Sequence, residues 1–186
     1  MSVRLTIITI NYNNKEGLIK TFESIKKQTW SDFEFLVIDG GSTDGCKELI
    51  ESNSQIDYWV SEKDSGVYNA MNKGIRKSTG EYIIFMNSGD FFYDEYVLEK
   101  IKNQFESHID ILYGDSVFFN DEGYRKTIKA PENLTFGFFY DGGLNHQAVF
   151  IKRSLFSDYF FYNEAYKICA DWEFFIVLIC IHNVSH

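Results

Sequence analysis

Phe33-Glu34-Phe35-Leu36-Val37-Ile38-Asp39-Gly40-Gly41-Ser42-Thr43-Asp44-Gly45 is an apolar run that stops at an aspartate and opens into a Gly/Ser turn. A second segment, Glu81-Tyr82-Ile83-Ile84-Phe85-Met86-Asn87-Ser88-Gly89-Asp90, follows the same plan. Short apolar runs bounded by turn residues read as buried strands of a parallel sheet. Ligands of open α/β sheets bind beyond the carboxyl ends of the strands. Asp39 and Asp90 are therefore expected on one rim, over one crevice. Two carboxylates among glycine-rich turns suit a ligand with hydrogen-bond donors and a metal-bridged phosphate.

Working outward, Leu5 to Asn11 reads as strand one and Lys15 to Gln28 as a helix capped by Asn13 or Asn14. A second helix is expected from Ser42, with Cys46, Leu49 and Ile50 inward. Tyr58 to Val60 makes a third strand. Asp64-Ser65 is expected to cap a helix that buries Val67, Met71 and Ile75, and Asp94 to Phe105 reads as a fourth helix. Alternating strands and helices at this spacing imply a doubly wound, mostly parallel sheet. Beyond Ile109 the pattern turns to mixed strands: Ile111 to Tyr113, Val117 to Phe119 and Tyr124 to Ile128, with a hairpin turn at Asn120-Asp121-Glu122-Gly123. Residues 1–186 are thus expected to form one domain, with a nucleotide-type half over 1–108 and a mixed half over 109–186. Phe174 to Ile181 is apolar all round and lacks a clear cap; a chain truncated at this end is expected, with a buried core helix as the alternative.

Composition narrows the function. With 45% apolar and 24% charged residues the chain is globular. A net charge of −9 without a dense Lys/Arg run argues against nucleic acid, whose phosphates demand cations. An anionic substrate would then need a divalent metal. Cys46, Cys169 and Cys180 form no C-x-x-C pair and are expected to be reduced and buried, as in a cytosolic chain. Met1-Ser2-Val3-Arg4 leads straight into a strand, so no signal peptide is expected. No apolar stretch approaches the ~20 residues of a membrane span.

Among candidate site residues, Asp39 suits a base N–H or a ribose hydroxyl. A phospho-acceptor role would need acidic residues at the end of strand one, where Asn11, Tyr12, Asn13 and Asn14 stand instead. Asn87-Ser88-Gly89-Asp90 leaves room for a diphosphate and one hard cation, Mn²⁺ or Mg²⁺, held by Asp90. Asp64, Gly66 and Asn69 open a helix whose backbone N–H groups can approach an anion, with Tyr68 and Lys73 nearby. Neither the dinucleotide G-x-G-x-x-G nor the P-loop pattern occurs. Asp171 and His146 stay open between structural and chemical roles.

Taken in order, Thr6 to Asn13, Val37 to Gly45, Gly80 to Asp90, Asn145 to Phe150 and Ala170 to Glu173 resemble the family 2 glycosyltransferases. The resemblance spans essentially the whole chain. It implies the GT-A fold and an inverting enzyme that takes a sugar from a nucleotide donor, a UDP-sugar above all. It carries base and ribose binding to Thr9, Asn11, Tyr12 and Asp39. The donor diphosphate goes to Asn87, Ser88 and Gly89, the metal to Asp90, and the catalytic base to Asp171. Asn87 and Gly89 stand where the family's D-x-D region is usually acidic, and Ala170 replaces a usual Glu. The Q-x-x-R-W signature of processive synthases is absent, which favours single-sugar transfer. Surface polysaccharide assembly is the implied setting, with a glycan or lipid-linked glycan acceptor, a cytoplasmic location and peripheral contact with the inner membrane face. The alternatives are a sugar nucleotidyltransferase, whose Gly-rich basic loop Asn13 to Gly17 only echoes, and a non-catalytic sugar-nucleotide-binding module.

Overall fold

A computed structural model describes residues 4–120 and 122–186. The first three residues of the N-terminal reading, and Asp121 of the hairpin turn, lie outside the described residues. In chain order the first half runs β1 (Leu5–Asn11), α1 (Lys15–Lys26), β2 (Phe33–Asp39), α2 (Cys46–Glu51), β3 (Tyr58–Ser61), α3 (Val67–Lys77), β4 (Tyr82–Phe85) and α4 (Val97–Ile101). The second half runs β5 (Ile111–Tyr113), β6 (Ser116–Phe119), β7 (Arg125–Ile128), α5 (Phe136–Asp141), β8 (Val149–Lys152), α6 (Ser154–Asp158) and α7 (Ala170–Ile176). One six-stranded sheet has the order β3-β2-β1-β4-β8-β5, and β6-β7 form a separate hairpin.

β1 to β4 pair in parallel, while β8 lies antiparallel between β4 and β5. That one reversal matters for the site. Because β8 starts where β4 and β5 finish, the residues just before Val149 arrive at the carboxyl rim of the parallel strands.

Side chains alternate along the strands and feed two cores. Ile8, Ile10, Leu36, Ile38 and Phe85 face α3 and the helices of the second half. Leu5, Ile7, Phe35, Val37 and Ile84 face α1 and the segment bearing Leu98 and Phe105. Leu18, Phe22 and Ile25 supply the apolar stripe of α1, and the Asn14 side chain caps it by accepting from Gly17 N at 3.1 Å. Such a cap is worth about 1 kcal/mol.

Several local expectations are corrected. α2 starts at Cys46, not Ser42, because Ser42 is drawn back onto Asp39 and the chain turns at Gly41 (φ +81°) and Gly45 (φ +89°). Only glycine takes such φ values without strain. Asp64 does not cap α3: Gly66 occupies that position, and the Asp64 carboxylate pairs with Lys73 Nζ at 2.6 Å. Val67 points outward, 40% exposed, while Met71 and Ile75 are buried. Of the cysteines only Cys46 is buried; Cys169 is exposed and Cys180 half-buried.

The apolar C-terminal run is largely explained by this fold. Phe174, Phe175, Leu178 and Ile179 sink into the core, and the Phe174 ring stacks on Phe156 at 4.5 Å. Burying each such side chain stabilises the fold by roughly 1.5–3 kcal/mol. Ile181 remains exposed at the end of the run. Among the described residues no helix is long and apolar enough to cross a membrane.

Candidate active site

Asp39 ends β2 beside Asn11, its register partner at the end of β1. It is wholly buried, and four donors reach its carboxylate: Asn11 Nδ2 (2.6 Å), Ser42 N (2.9 Å), Ser42 Oγ (2.5 Å) and Ser61 Oγ (2.6 Å). Burial pushes the carboxyl up, but the bonds from Ser42, Ser61 and Asn11 outweigh it and hold the group below the usual carboxylate range. Asp39 thus braces three strand ends. The oxygens left without a protein partner nearby belong to Thr9 Oγ1 and Asn11 Oδ1, both buried. Tyr12, 67% exposed, lies over Gly40, where an added Cβ would sit 3.1 Å from its ring and 3.3 Å from Asp64 Oδ2. Asn11, Tyr12, Asp39 and Asp64 thus gather at the ends of β1 and β2, with Thr9 two residues before Asn11 on β1.

Beyond β4, the Asn87 to Asp90 loop is tied down by α1. Thr21 Oγ1 donates to Asp90 O (2.8 Å) and accepts from Gly89 N (3.0 Å), and Asn14 Nδ2 donates to Ser88 O (2.9 Å). Gly89 takes φ +106°, a turn only glycine makes cheaply. Burial raises the Asp90 carboxyl, opposed by hydrogen bonds from the Asn87 to Asp90 turn and Gln147. No described Lys or Arg pairs with Asp90. Gly66 and Asn69 belong to a different arrangement. Asn69 accepts from Ser65 N (3.3 Å) and donates to Glu164 (2.8 Å), and Lys73 is held by Glu62 and Asp64. The Asn69 and Lys73 side chains are thereby committed to protein contacts.

Asp171 is not a helix cap. Cys169, at φ +75°, precedes α7 as its cap, and Asp171 lies in the first turn. Tyr68 OH donates to its Oδ1 at 2.8 Å, and His146 Nδ1 lies 3.0 Å from its Oδ2. On the other side of the ring, His146 Nε2 is 3.1 Å from Asn87 Nδ2. Burial pushes Asp171 up, but His146 and Tyr68 more than offset it, so the carboxyl is lowered and ionised at neutral pH. Tyr68 moves the other way, to about 12, through burial and then the Asp171 charge. The sequence sets Tyr68 beside a possible anion site and leaves His146 open between a structural and a chemical role; their juxtaposition with Asp171 spans separations no local pattern reveals.

The Tyr68 shift makes a stability prediction. A folded-state value above the unfolded one gives stability that is complete below about pH 10 and lost as pH rises through 12. At 1.36 kcal/mol per unit the contribution is roughly 3 kcal/mol. Between pH 10 and 12 the urea midpoint of the parent should fall more steeply than that of Tyr68→Phe. Parallel curves would rule this contribution out.

The profile of glycosyl transferase family 2 matches residues 6–166. This chain belongs to glycosyltransferase family 2. A "PGL/p-HBAD biosynthesis glycosyltransferase" of Mycobacterium bovis is 31% identical over 182 residues, covering 91% of this chain and 67% of its own length. A Mycobacterium tuberculosis relative of the same description matches equally. Among solved structures, residues 1–349 of S. aureus TarS in complex with UDP superpose with a TM-score of 0.75 at 19% identity, covering 92% of this chain and 53% of that one. The mannosyltransferase PcManGT of Pyrobaculum calidifontis, in complex with GDP-Man and Mn²⁺, gives 0.65 at 17% identity, covering 88% and 48%. The GT-A fold is thereby shown, and the chain spans about half the length of these structural neighbours.

Proposed function

We propose that this glycosyltransferase moves one sugar, with inversion, from a UDP-sugar to an acceptor hydroxyl. The observation that carries the reading is the Asp171 carboxylate, held at both oxygens and linked through His146 to Asn87 of the loop bearing Asp90. A base and a diphosphate loop are thus side by side, which an inverting transfer needs. Each carboxylate oxygen keeps a free lone pair after accepting one bond. Asp171 takes the acceptor's proton as the acceptor oxygen attacks the anomeric carbon. The anomeric C–O bond breaks on the opposite face, and its electron pair leaves with the UDP. Bound TarS structures with UDP and UDP-GlcNAc support a uridine donor. Thr9, Asn11, Tyr12 and Asp39 form the base and ribose end, and Asn87, Ser88 and Gly89 the diphosphate end. Asp64 supports Gly40; Gly66 and Asn69 act at most through the start of α3.

The donor set fits a hard cation. Asp90 is a half-buried carboxylate without a cationic side-chain partner, and the buried Asn87 Oδ1 beside it is also unpartnered. Mn²⁺ or Mg²⁺ held by Asp90 supplies charge neutralisation for the departing diphosphate. Among the described residues no cluster of three or more His, Cys, Asp or Glu could bind an ion unaided. Metal and UDP should therefore bind together. UDP should raise the melting temperature clearly more in Mn²⁺ than in EDTA, and equal shifts would dismiss the coupling.

The relatives are described as PGL/p-HBAD biosynthesis glycosyltransferases, and we propose for this chain a glycan or lipid-linked glycan acceptor met at the cytoplasmic membrane face, with a donor half over 1–108 and an acceptor half over 109–186. Slow release of free sugar and UDP from a UDP-sugar in Mn²⁺ and water tests the transferase reading. A chain that binds UDP but releases none would be a binding module.

A further inference from the structure

We propose that His146 is a positioning residue that ties the Asp171 base to the donor loop, donating from Nδ1 to Asp171 and accepting at Nε2 from Asn87. The inference rests on the reading of Asp171 as the base. Asn87 Nδ2 can only donate, so the ring nitrogen facing it at 3.1 Å, Nε2, accepts and carries no proton. The ring proton then sits on Nδ1 and is donated to Asp171 Oδ2 at 3.0 Å. With Tyr68 on Oδ1, the carboxylate plane is fixed from two sides. The polar partners on both ring nitrogens are what a core histidine does not need. The His146 and Asp171 side chains are only 19% and 18% exposed, so water competes weakly for these bonds.

Asn87 is the hinge of this arrangement. Its Nδ2 is committed to His146, while its Oδ1 is buried with no protein partner. A buried amide oxygen left open is destabilising unless something supplies a hydrogen-bond donor or a cation. One side chain thus touches the base assembly through nitrogen and offers its oxygen within the donor loop. A donor that orders Asn87 also orders His146, and His146 orders Asp171.

Two substitutions separate the ends of the ring. Asparagine sets its amide near the place of Nδ1 and glutamine near that of Nε2. His146→Asn keeps a donor for Asp171, and His146→Gln keeps a partner for Asn87 only. In UDP-sugar hydrolysis, with Asp171→Asn as reference, His146→Gln should lose kcat roughly a hundredfold, the cost of a misplaced base, with KM for the donor little changed. His146→Asn should hold kcat within about threefold of the parent if orientation at Asp171 is what matters. Equal losses in both variants, or no loss in His146→Gln while Asp171→Asn is dead, overturn the role of His146. An unimpaired Asp171→Asn instead overturns the base assignment beneath it. Ring ¹⁵N NMR of the parent, which needs no turnover, should show His146 as the Nδ1–H tautomer at neutral pH. An Nε2–H tautomer overturns the proposal even where no hydrolysis is seen.

Discussion

Asp171→Asn should lower sugar transfer about 10²–10⁴-fold while UDP affinity and folding stay near the parent values. The range is that of a positioned general base, and an amide cannot take the acceptor's proton. Folding survives because the amide suits both neighbours. Its oxygen can accept from His146 Nδ1–H, and its nitrogen can donate to the Tyr68 hydroxyl, which now accepts. Since Cys169 and not Asp171 occupies the cap of α7, no cap is lost either. The proposed UDP site lies at the ends of β1, β2 and β4, away from the substituted carboxylate. Transfer by the variant at near the parent rate, with its acceptor present, would leave Asp171 a structural ligand of Tyr68 and His146.

Asp39→Ala should destabilise the protein by roughly 2–4 kcal/mol and weaken UDP binding by about 1–3 kcal/mol. Four hydrogen bonds end on this wholly buried carboxylate, and its removal leaves Asn11 Nδ2, Ser42 and Ser61 facing a void. Unpaired buried donors are costlier than the bonds themselves were worth, which sets the first figure. The second follows because Asn11 and the Gly40–Gly41 turn lose the group that orients them. The sign of the pH dependence is fixed too. Asp39 has a lowered carboxyl, so its contribution is present above the unfolded value of 3.8 and fades as pH falls through the lower folded value. Acid melts of the parent should show this extra loss below about pH 4, and those of Asp39→Ala should not. Unchanged urea midpoints and unchanged UDP calorimetry would together exclude the bracing role.

The first half of the fold was legible because its signals are local. Apolar runs of strand length, an Asn cap and glycine-bearing turns specify β1, α1, β2 and β4 within a residue or two. The errors there have local causes as well. Ser42 reads as a helix start but is captured by Asp39, and Asp64 reads as a cap but finds Lys73, so each polar side chain preferred a tertiary partner. Ile181 shows the reverse at the C-terminus. Phe174 to Ile181 reads as uniformly apolar, and only packing tells Phe174 and Phe175, both buried, from Ile181, exposed.

Sequence alone determined the alternating architecture and set Asp39 and Asp90 at strand ends, because side-chain period and turn chemistry act over a few residues. It also contained the ordered motifs by which the family is recognised. What only the tertiary structure decided is the assembly around Asp171. Tyr68 lies 103 residues from it, His146 25 residues, and Asn87 59 residues from His146. These groups meet because β8 runs antiparallel beside β4 and delivers His146 to the carboxyl rim, while α7 packs Asp171 against the first turn of α3. No local preference encodes that meeting; strand order and direction do.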